Sequence, residues 1–278
     1  MPQIRRILFP VDYSESCVGA ARYVEALAGY FEAEVTLLHV AGTGERTFLR
    51  DPIQVRQAQL DAFQASELKY FTTYRKCATG DPAMKIVETA ALCHPDLVMI
   101  PTRGLGYFRR HLLGSVTAKV LHDLQCPVWT SVHAELAPKL EEIHCRRVLC
   151  AVNNTSRNRC ILQFAAWLTR ELQGTLGIVH ATEKTDAATF GWYWGNGFER
   201  AIVKHAKEHV AALQAEVGTD AQVYTSPGDP AKTVACAAKD FKADVIIIGR
   251  HSASSADGHV FQHAYAILRE SPCPVISI

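Results

Sequence analysis

Residues Leu97 to Thr117 read LVMIPTRGLGYFRRHLLGSVT. The run Leu97-Val98-Met99-Ile100, bounded by Asp96 and Pro101, is unbroken and apolar, the pattern of a strand buried on both faces. Gly114-Ser115 stands immediately before a helical stripe of Val116, Val120, Leu121 and Leu124. Between strand and helix lies a loop holding Arg103, Arg109 and Arg110, and no Asp or Glu occurs between Asp96 and Asp123. N–H groups at the start of a helix lack intrahelical partners and carry partial positive charge, which suits an anion. The stretch therefore reads as a phosphate or nucleotide site in an α/β protein.

Working outward, Ile4 to Val11 predicts a strand closing on Asp12, with Ser14 or Ser16 as cap of a helix whose stripe is Val18, Ala21, Val24, Ala28 and Phe31. Glu34 to Val40 predicts a second strand, residues 53 to 69 a polar helix, and Phe71 to Ala78 a third strand. Gly80-Asp81-Pro82-Ala83 places Asp as N-cap and Pro at the first helical position. The strand at Leu97, the helix at Val116 and a last strand over Pro127 to Val132 complete the series. Strictly alternating strands and helices predict a doubly wound parallel sheet.

The same plan recurs in the second half. Arg146 to Asn153 matches Arg5 to Asp12, and Ile178 to Ala181 matches Leu37 to Val40. Gly228-Asp229-Pro230-Ala231 repeats Gly80 to Ala83 letter for letter, and Cys273-Pro274-Val275 repeats Cys126-Pro127-Val128. Ala243 to Ile248 matches Pro95 to Ile100. Two copies of one α/β domain are predicted, over residues 1–135 and 145–278, with a linker near His133 to Cys145.

The bulk numbers agree with a soluble globular protein: 278 residues, 48% hydrophobic and 21% charged. A net charge of +1 gives no reason to expect nucleic acid or an anionic membrane as partner. The start, MPQIRRILFPVDYSES, has no signal-peptide core, and no apolar run approaches a bilayer's width, so a cytoplasmic protein is expected. The nine cysteines are expected as reduced, mostly buried thiols.

At these residues the chain resembles a tandem universal stress protein over essentially its full length. The resemblance implies an adenine nucleotide alpha hydrolase-like fold, each domain a five-stranded parallel sheet flanked by helices. Nucleotide-binding members of that family carry G-x-x-G, nine residues, then G-[S/T]. Here Gly104, nine residues and Gly114-Ser115 fit the later elements, and Pro101 stands at the first Gly. The resemblance implies a stress-response sensor or regulator binding ATP or a related adenine nucleotide. The implied binding residues are Pro10, Val11 and Asp12 at strand one, Val40 at strand two, and Pro101, Arg103, Gly104, Gly114, Ser115, Val116 and Thr117. Proline fixes φ and donates no N–H, so Pro101 removes whatever the family's Gly supplies there.

In the second copy Asp12 becomes Asn153, Gly104 becomes Ser252, Gly249 restores the first Gly, and Phe261-Gln262 stands where Gly114-Ser115 stood. That copy is expected not to bind ATP in the family manner. His251, Asp257, His259 and His263 could form a zinc site or a solvated polar loop. His39 and His180, at equivalent strand ends, read as ligands, bases or hydrogen-bonded structural groups. Phe190 to Phe198 is an aromatic, glycine-rich loop with the makings of a lid, an interaction surface or a pocket filler. Walker A, G-x-G-x-x-G, G-x-S-x-G and H-E-x-x-H motifs are absent, which leaves no residue set for efficient catalysis; slow ATP hydrolysis needs none. The rival reading is a nucleotide-free protein–protein interaction scaffold, and a third is an enzyme on the same fold. Partners implied are a nucleotide, a regulatory protein of unspecified kind, and a second copy, or else a pseudo-dimeric monomer joined through the last strands of the two copies.

Overall fold

The computed structural model describes residues 3–42, 52–102, 113–153, 155, 157–182, 195–250 and 258–278. The chain forms two compact units, Met1–His144 and Cys145–Ile278.

In the first unit the order is β1 (Arg6–Val11), α1 (Glu15–Phe31), β2 (Glu34–Ala41), α2 (Pro52–Ala62), β3 (Thr73–Thr79), α3 (Pro82–Cys93), β4 (Leu97–Pro101), α4 (Ser115–Asp123) and β5 (Val128–Ser131). The strands pair in parallel in the order β3-β2-β1-β4-β5. Ile7, Leu8 and Phe9 of β1 and Leu97 to Met99 of β4 are almost wholly buried, as strands covered on both faces must be. Caps set where the helices begin. Ser14 Oγ accepts from Cys17 N at 3.1 Å to open α1, and Asp81 Oδ1 accepts from Met84 N at 2.8 Å to open α3, with Pro82 at its first position.

One predicted helix boundary differs. The polar helix ends at Ala62 rather than near residue 69, because Arg75 of β3 donates to the carbonyls of Leu60 (3.0 Å) and Phe63 (3.2 Å) and so caps it from outside. Gln64 then takes φ 48°, which no helix continues through. Within the segment read as a linker, near His133 to Cys145, Ala134–Leu136 and Leu140–Glu142 form single 3₁₀ turns docked on α1. Arg22 Nη1 donates to Ala137 O at 2.6 Å and Ser16 Oγ to Glu135 at 3.2 Å.

In the second unit β6 (Arg147–Val152), α5 (Asn158–Glu171), β7 (Thr175–Thr182), α6 (Gly195–Val217), β8 (Gln222–Pro227), α7 (Pro230–Phe241), β9 (Val245–Ile248), α8 (Gly258–Glu270) and β10 (Val275–Ser277) repeat the plan. The parallel order is β10-β9-β6-β7-β8. Asp229 caps α7 by accepting from Lys232 N at 3.0 Å, as Asp81 caps α3. Gly195 to Phe198, read from sequence as loop, belong to α6.

No disulfide forms among the described residues; Cys17, Cys145 and Cys150 are buried, while Cys160 and Cys236 are exposed. Burial pushes the thiols of Cys17, Cys145 and Cys150 up to about 12, so they pack as small apolar groups and not as nucleophiles.

Candidate functional site

In each sheet the direction of winding reverses between the first and fourth strands, and an open α/β sheet places its binding crevice outside the carboxyl ends at such a reversal. In the first unit that crevice lies between the ends of β1 and β4, the strands that lead into Asp12 and towards α4.

Asp12 follows β1 directly. Its Oδ1 accepts from Ser14 N (3.0 Å) and Ser14 Oγ (2.6 Å), so the carboxylate is held by the residue that caps α1. Across the crevice, Gly114 is the N-cap of α4 and has no side chain to satisfy the first turn. Its own N–H donates to Thr102 O at 2.9 Å, and Ala118 N donates to Gly114 O at 2.8 Å. The N–H groups of Ser115, Val116 and Thr117 have no hydrogen bond among the described residues. Three donors at a helix start with an exposed Ser115 beside them form an anion cradle.

Thr117 is buried, and its hydroxyl donates to Pro101 O at 3.0 Å, tying α4 to the end of β4. Its backbone N–H is the donor that remains for a ligand.

Pro101 pairs with Ser131 as the last residue of β4. Val98 and Thr102 direct their N–H groups to β5, so the alternate positions Leu97, Met99 and Pro101 face β1. The missing donor of Pro101 thus falls on the crevice side, beyond the last recorded β1–β4 pair, Leu8 with Val98, and breaks no ladder bond. At the corresponding place in the second unit, a Cβ on Gly249 would lie 2.4 Å from Ile161 Cδ1. Counting from Asp12 and Asn153, the counterpart of Ile161 is Ala20. Bulk is on the strand in one copy and on the helix in the other.

At the end of β2, His39 Nδ1 lies 2.9 Å from Val11 O, and its ring is 4.7 Å from that of Tyr13, which meets Phe63 edge-on at 5.6 Å. His180 Nδ1 makes the same contact with Val152 O at 3.0 Å. A carbonyl only accepts, so Nδ1 carries the proton in both rings and each histidine clamps two strand ends. Val40, half-buried, ends the same edge of β2.

The Tyr13 hydroxyl is buried with no hydrogen bond among the described residues, and burial, followed by Cys77, pushes its pKa up to about 12. Tyr13→Phe is therefore expected to stabilise the protein by about 1 kcal/mol at pH 7 in urea unfolding. Because the folded pKa exceeds the unfolded value of about 10, wild type loses stability as pH rises from about 10 through about 12. The variant lacks that loss. A destabilised variant would place a partner on the hydroxyl.

Burial lowers the pKa of His180, against the opposing bond to Val152 O, with His209 nearby adding to the lowering. The unfolded chain protonates His180 below about pH 6.5 while the folded ring stays neutral, so stability falls as pH drops from about 6.5 towards the folded value. His180→Gln is expected to flatten this part of the Tm profile between pH 7 and 5. Parallel profiles for variant and wild type would refute it.

The second crevice is built differently. Asn153 Oδ1 accepts from Thr155 N (3.2 Å) and Oγ1 (2.6 Å), the same turn as at Asp12 but without charge. Buried Asn158, in the place of Cys17, holds both the N–H and the carbonyl of Asn153. Aligned on the Cys-Pro-Val ends, Phe261 and Gln262 occupy the positions of Gly114 and Ser115, yet α8 already begins at Gly258. Their N–H groups lie within the helix, where they bond to preceding carbonyls and are lost to a ligand. A cavity of about 670 Å³ opens at this crevice, walled by the ends of β6 and β7 and by α6, α7 and α8.

Residues 3–131 and 144–278 each match the sequence profile of the universal stress protein family. The chain belongs to the universal stress protein family. A curated universal stress protein of Methanocaldococcus jannaschii is 27% identical over 135 residues, 45% of this chain and 79% of that protein. A universal stress protein structure from Archaeoglobus fulgidus superposes with a TM-score of 0.70 at 21% identity, covering 99% of this chain and 96% of that one. A functionally unknown protein from Pseudomonas aeruginosa PAO1 gives 0.69 at 17% identity, covering 99% and 92%. Similarity at that level carries the fold of these proteins and not their ligands.

Of the residues that the family resemblance singled out, Pro10, Val11, Asp12, Val40, Pro101, Gly114, Ser115, Val116 and Thr117 all lie at the carboxyl edge of the first unit's sheet or at the helix facing it. Arg103 and Gly104 lie outside the described residues, as do Arg109 and Arg110. So do His251, Asp257 and Phe190 to Trp194. Among the described residues no group of three or more His, Cys, Asp or Glu could hold a metal, and His263 is exposed on α8. No helix among them is long and apolar enough to cross a membrane. Sequence reading did not single out Thr182 or His205, which line the second crevice; they reach it from β7 and α6, with no shared motif to join them.

Proposed function

We propose that this universal stress protein is a cytoplasmic sensor or regulator that binds an adenine nucleotide, ATP, in its first unit alone. The observation that carries this reading is the trio of N–H groups at Ser115, Val116 and Thr117, without partners among the described residues, at the carboxyl edge of the sheet where Asp12 follows β1. A polyphosphate satisfies those donors, and the glycine at the N-cap leaves the approach open. In the second unit the equivalent N–H groups are inside α8 and Asp12 has become Asn153, which supports single-site binding.

Isothermal calorimetry with ATP and AMP tests this. The expected result is one ATP per chain, with AMP weaker because it places fewer phosphate oxygens on α4. Two sites of equal affinity would overturn the assignment to the first unit. No heat with either nucleotide would overturn nucleotide binding and leave the interaction scaffold.

A further inference from the structure

The cavity of the second unit has the size of a small-molecule site, about 670 Å³, and the wrong chemistry for a nucleotide. Its walls are mostly aliphatic, with Val152, Ile161, Val234 and Ile248 prominent, and no Asp, Glu, Lys or Arg is among its described lining residues. The helix start that could hold a phosphate is displaced by about one turn, since α8 begins at Gly258, a position matching His111 in the first copy. Six polar side chains interrupt the apolar wall, Asn153, Thr155, His180, Thr182, His205 and His263, and of these His180 and Thr182 are buried. Thr182 is buried, and its hydroxyl has no hydrogen bond among the described residues. His180 is buried too, and since Nδ1 is committed to Val152 O, Nε2 is its remaining acceptor. An unpartnered hydroxyl in an apolar wall costs stability unless something enters the cavity to satisfy it.

We infer that this cavity binds an uncharged, predominantly apolar small molecule whose N–H or O–H group is received by Thr182 and His180. The duplicated crevices have thereby diverged in ligand class: among the described residues the first presents unpaired N–H donors at a helix start, the second a mostly aliphatic chamber with a polar edge and no Asp, Glu, Lys or Arg. The inference does not depend on nucleotide binding in the first unit.

N-phenyl-1-naphthylamine, neutral, apolar and carrying a single N–H, is the probe. It is added to the full chain in the Gly114→Val background, so that the first unit's proposed site cannot contribute. Saturable, blue-shifted fluorescence is expected. Ala201 lines the cavity from the exposed face of α6, so Ala201→Trp should fill the chamber without disturbing the core and weaken binding at least tenfold at unchanged Tm. Thr182→Val should weaken binding about threefold or more while raising the Tm, a combination that misfolding cannot produce; it carries the test if Ala201→Trp lowers the Tm. Absence of saturable fluorescence, binding indifferent to both substitutions, or displacement of the dye by ATP would each overturn the inference.

Discussion

Gly114→Val is expected to erase the stabilisation that ATP gives the protein while leaving the ligand-free protein nearly as stable as wild type. Gly114 has φ −60° and ψ 141°, a conformation open to any residue, so valine adds no backbone strain. Its N–H can still reach Thr102 O, as it does at 2.9 Å in the native chain. What changes is the space in front of Ser115 and Val116, where a β-branched side chain would stand between the phosphates and their donors. At ATP a hundredfold above Kd, wild type should gain about 2.7 kcal/mol and the variant none. Thermal denaturation with and without ATP reads both quantities at once. A variant that keeps the full ATP shift would show that the nucleotide binds elsewhere.

Gly19→Val should cost about 3 kcal/mol through steric overpacking. A Cβ at Gly19 would lie 1.7 Å from the carbonyl oxygen of Ala134 and 2.6 Å from its carbon. These are backbone atoms, so no rotamer change relieves the clash, and Ala134–Leu136 must leave α1. With it go the 2.6 Å bond from Arg22 to Ala137 and the 3.2 Å bond from Ser16 to Glu135. Gly29, on the same helix, supplies the contrast: a Cβ there makes only ordinary contact, 3.6 Å from the Phe71 ring. Gly29→Ala should stabilise the protein by roughly 0.5–1 kcal/mol by removing glycine from a helix interior. Urea denaturation gives both signs, and trypsin should cut faster at Lys139 in Gly19→Val. Equal stability of Gly19→Val and wild type would sink the docking of this segment.

These two glycines show what is and is not legible in a sequence. Gly114 is marked by its place before a helical stripe and by its spacing from Gly104. Nothing in ESCVGAARYV marks Gly19, because the group that needs its missing side chain lies 115 residues further along. The helix over residues 52–62 fails to reach residue 69 for the same reason: Arg75, which closes it, belongs to a later strand.

The Pro101 substitution is the instructive intermediate case. From the sequence it is a lost N–H and added bulk. The parallel register turns that lost N–H towards the open side of the sheet, where no strand needs it. The exchange of Gly249 and Ile161 for Pro101 and Ala20 indicates how the bulk is compensated.

The sequence by itself determined the two-fold repetition, the alternation of strands and helices, the helix starts at Asp81 and Asp229, and the family. Each of these is written in local periodicity or in a short motif whose partners lie within a few residues. Only the tertiary structure decided which N–H groups at α4 lack partners among the described residues, that Thr117 spends its hydroxyl on Pro101, that His39 and His180 clamp strand ends, and that the described lining of the second crevice is mostly aliphatic, without Asp, Glu, Lys or Arg. Those properties arise where strand ends, helix starts and turns converge from distant parts of the chain, and convergence of that kind leaves no pattern along the sequence.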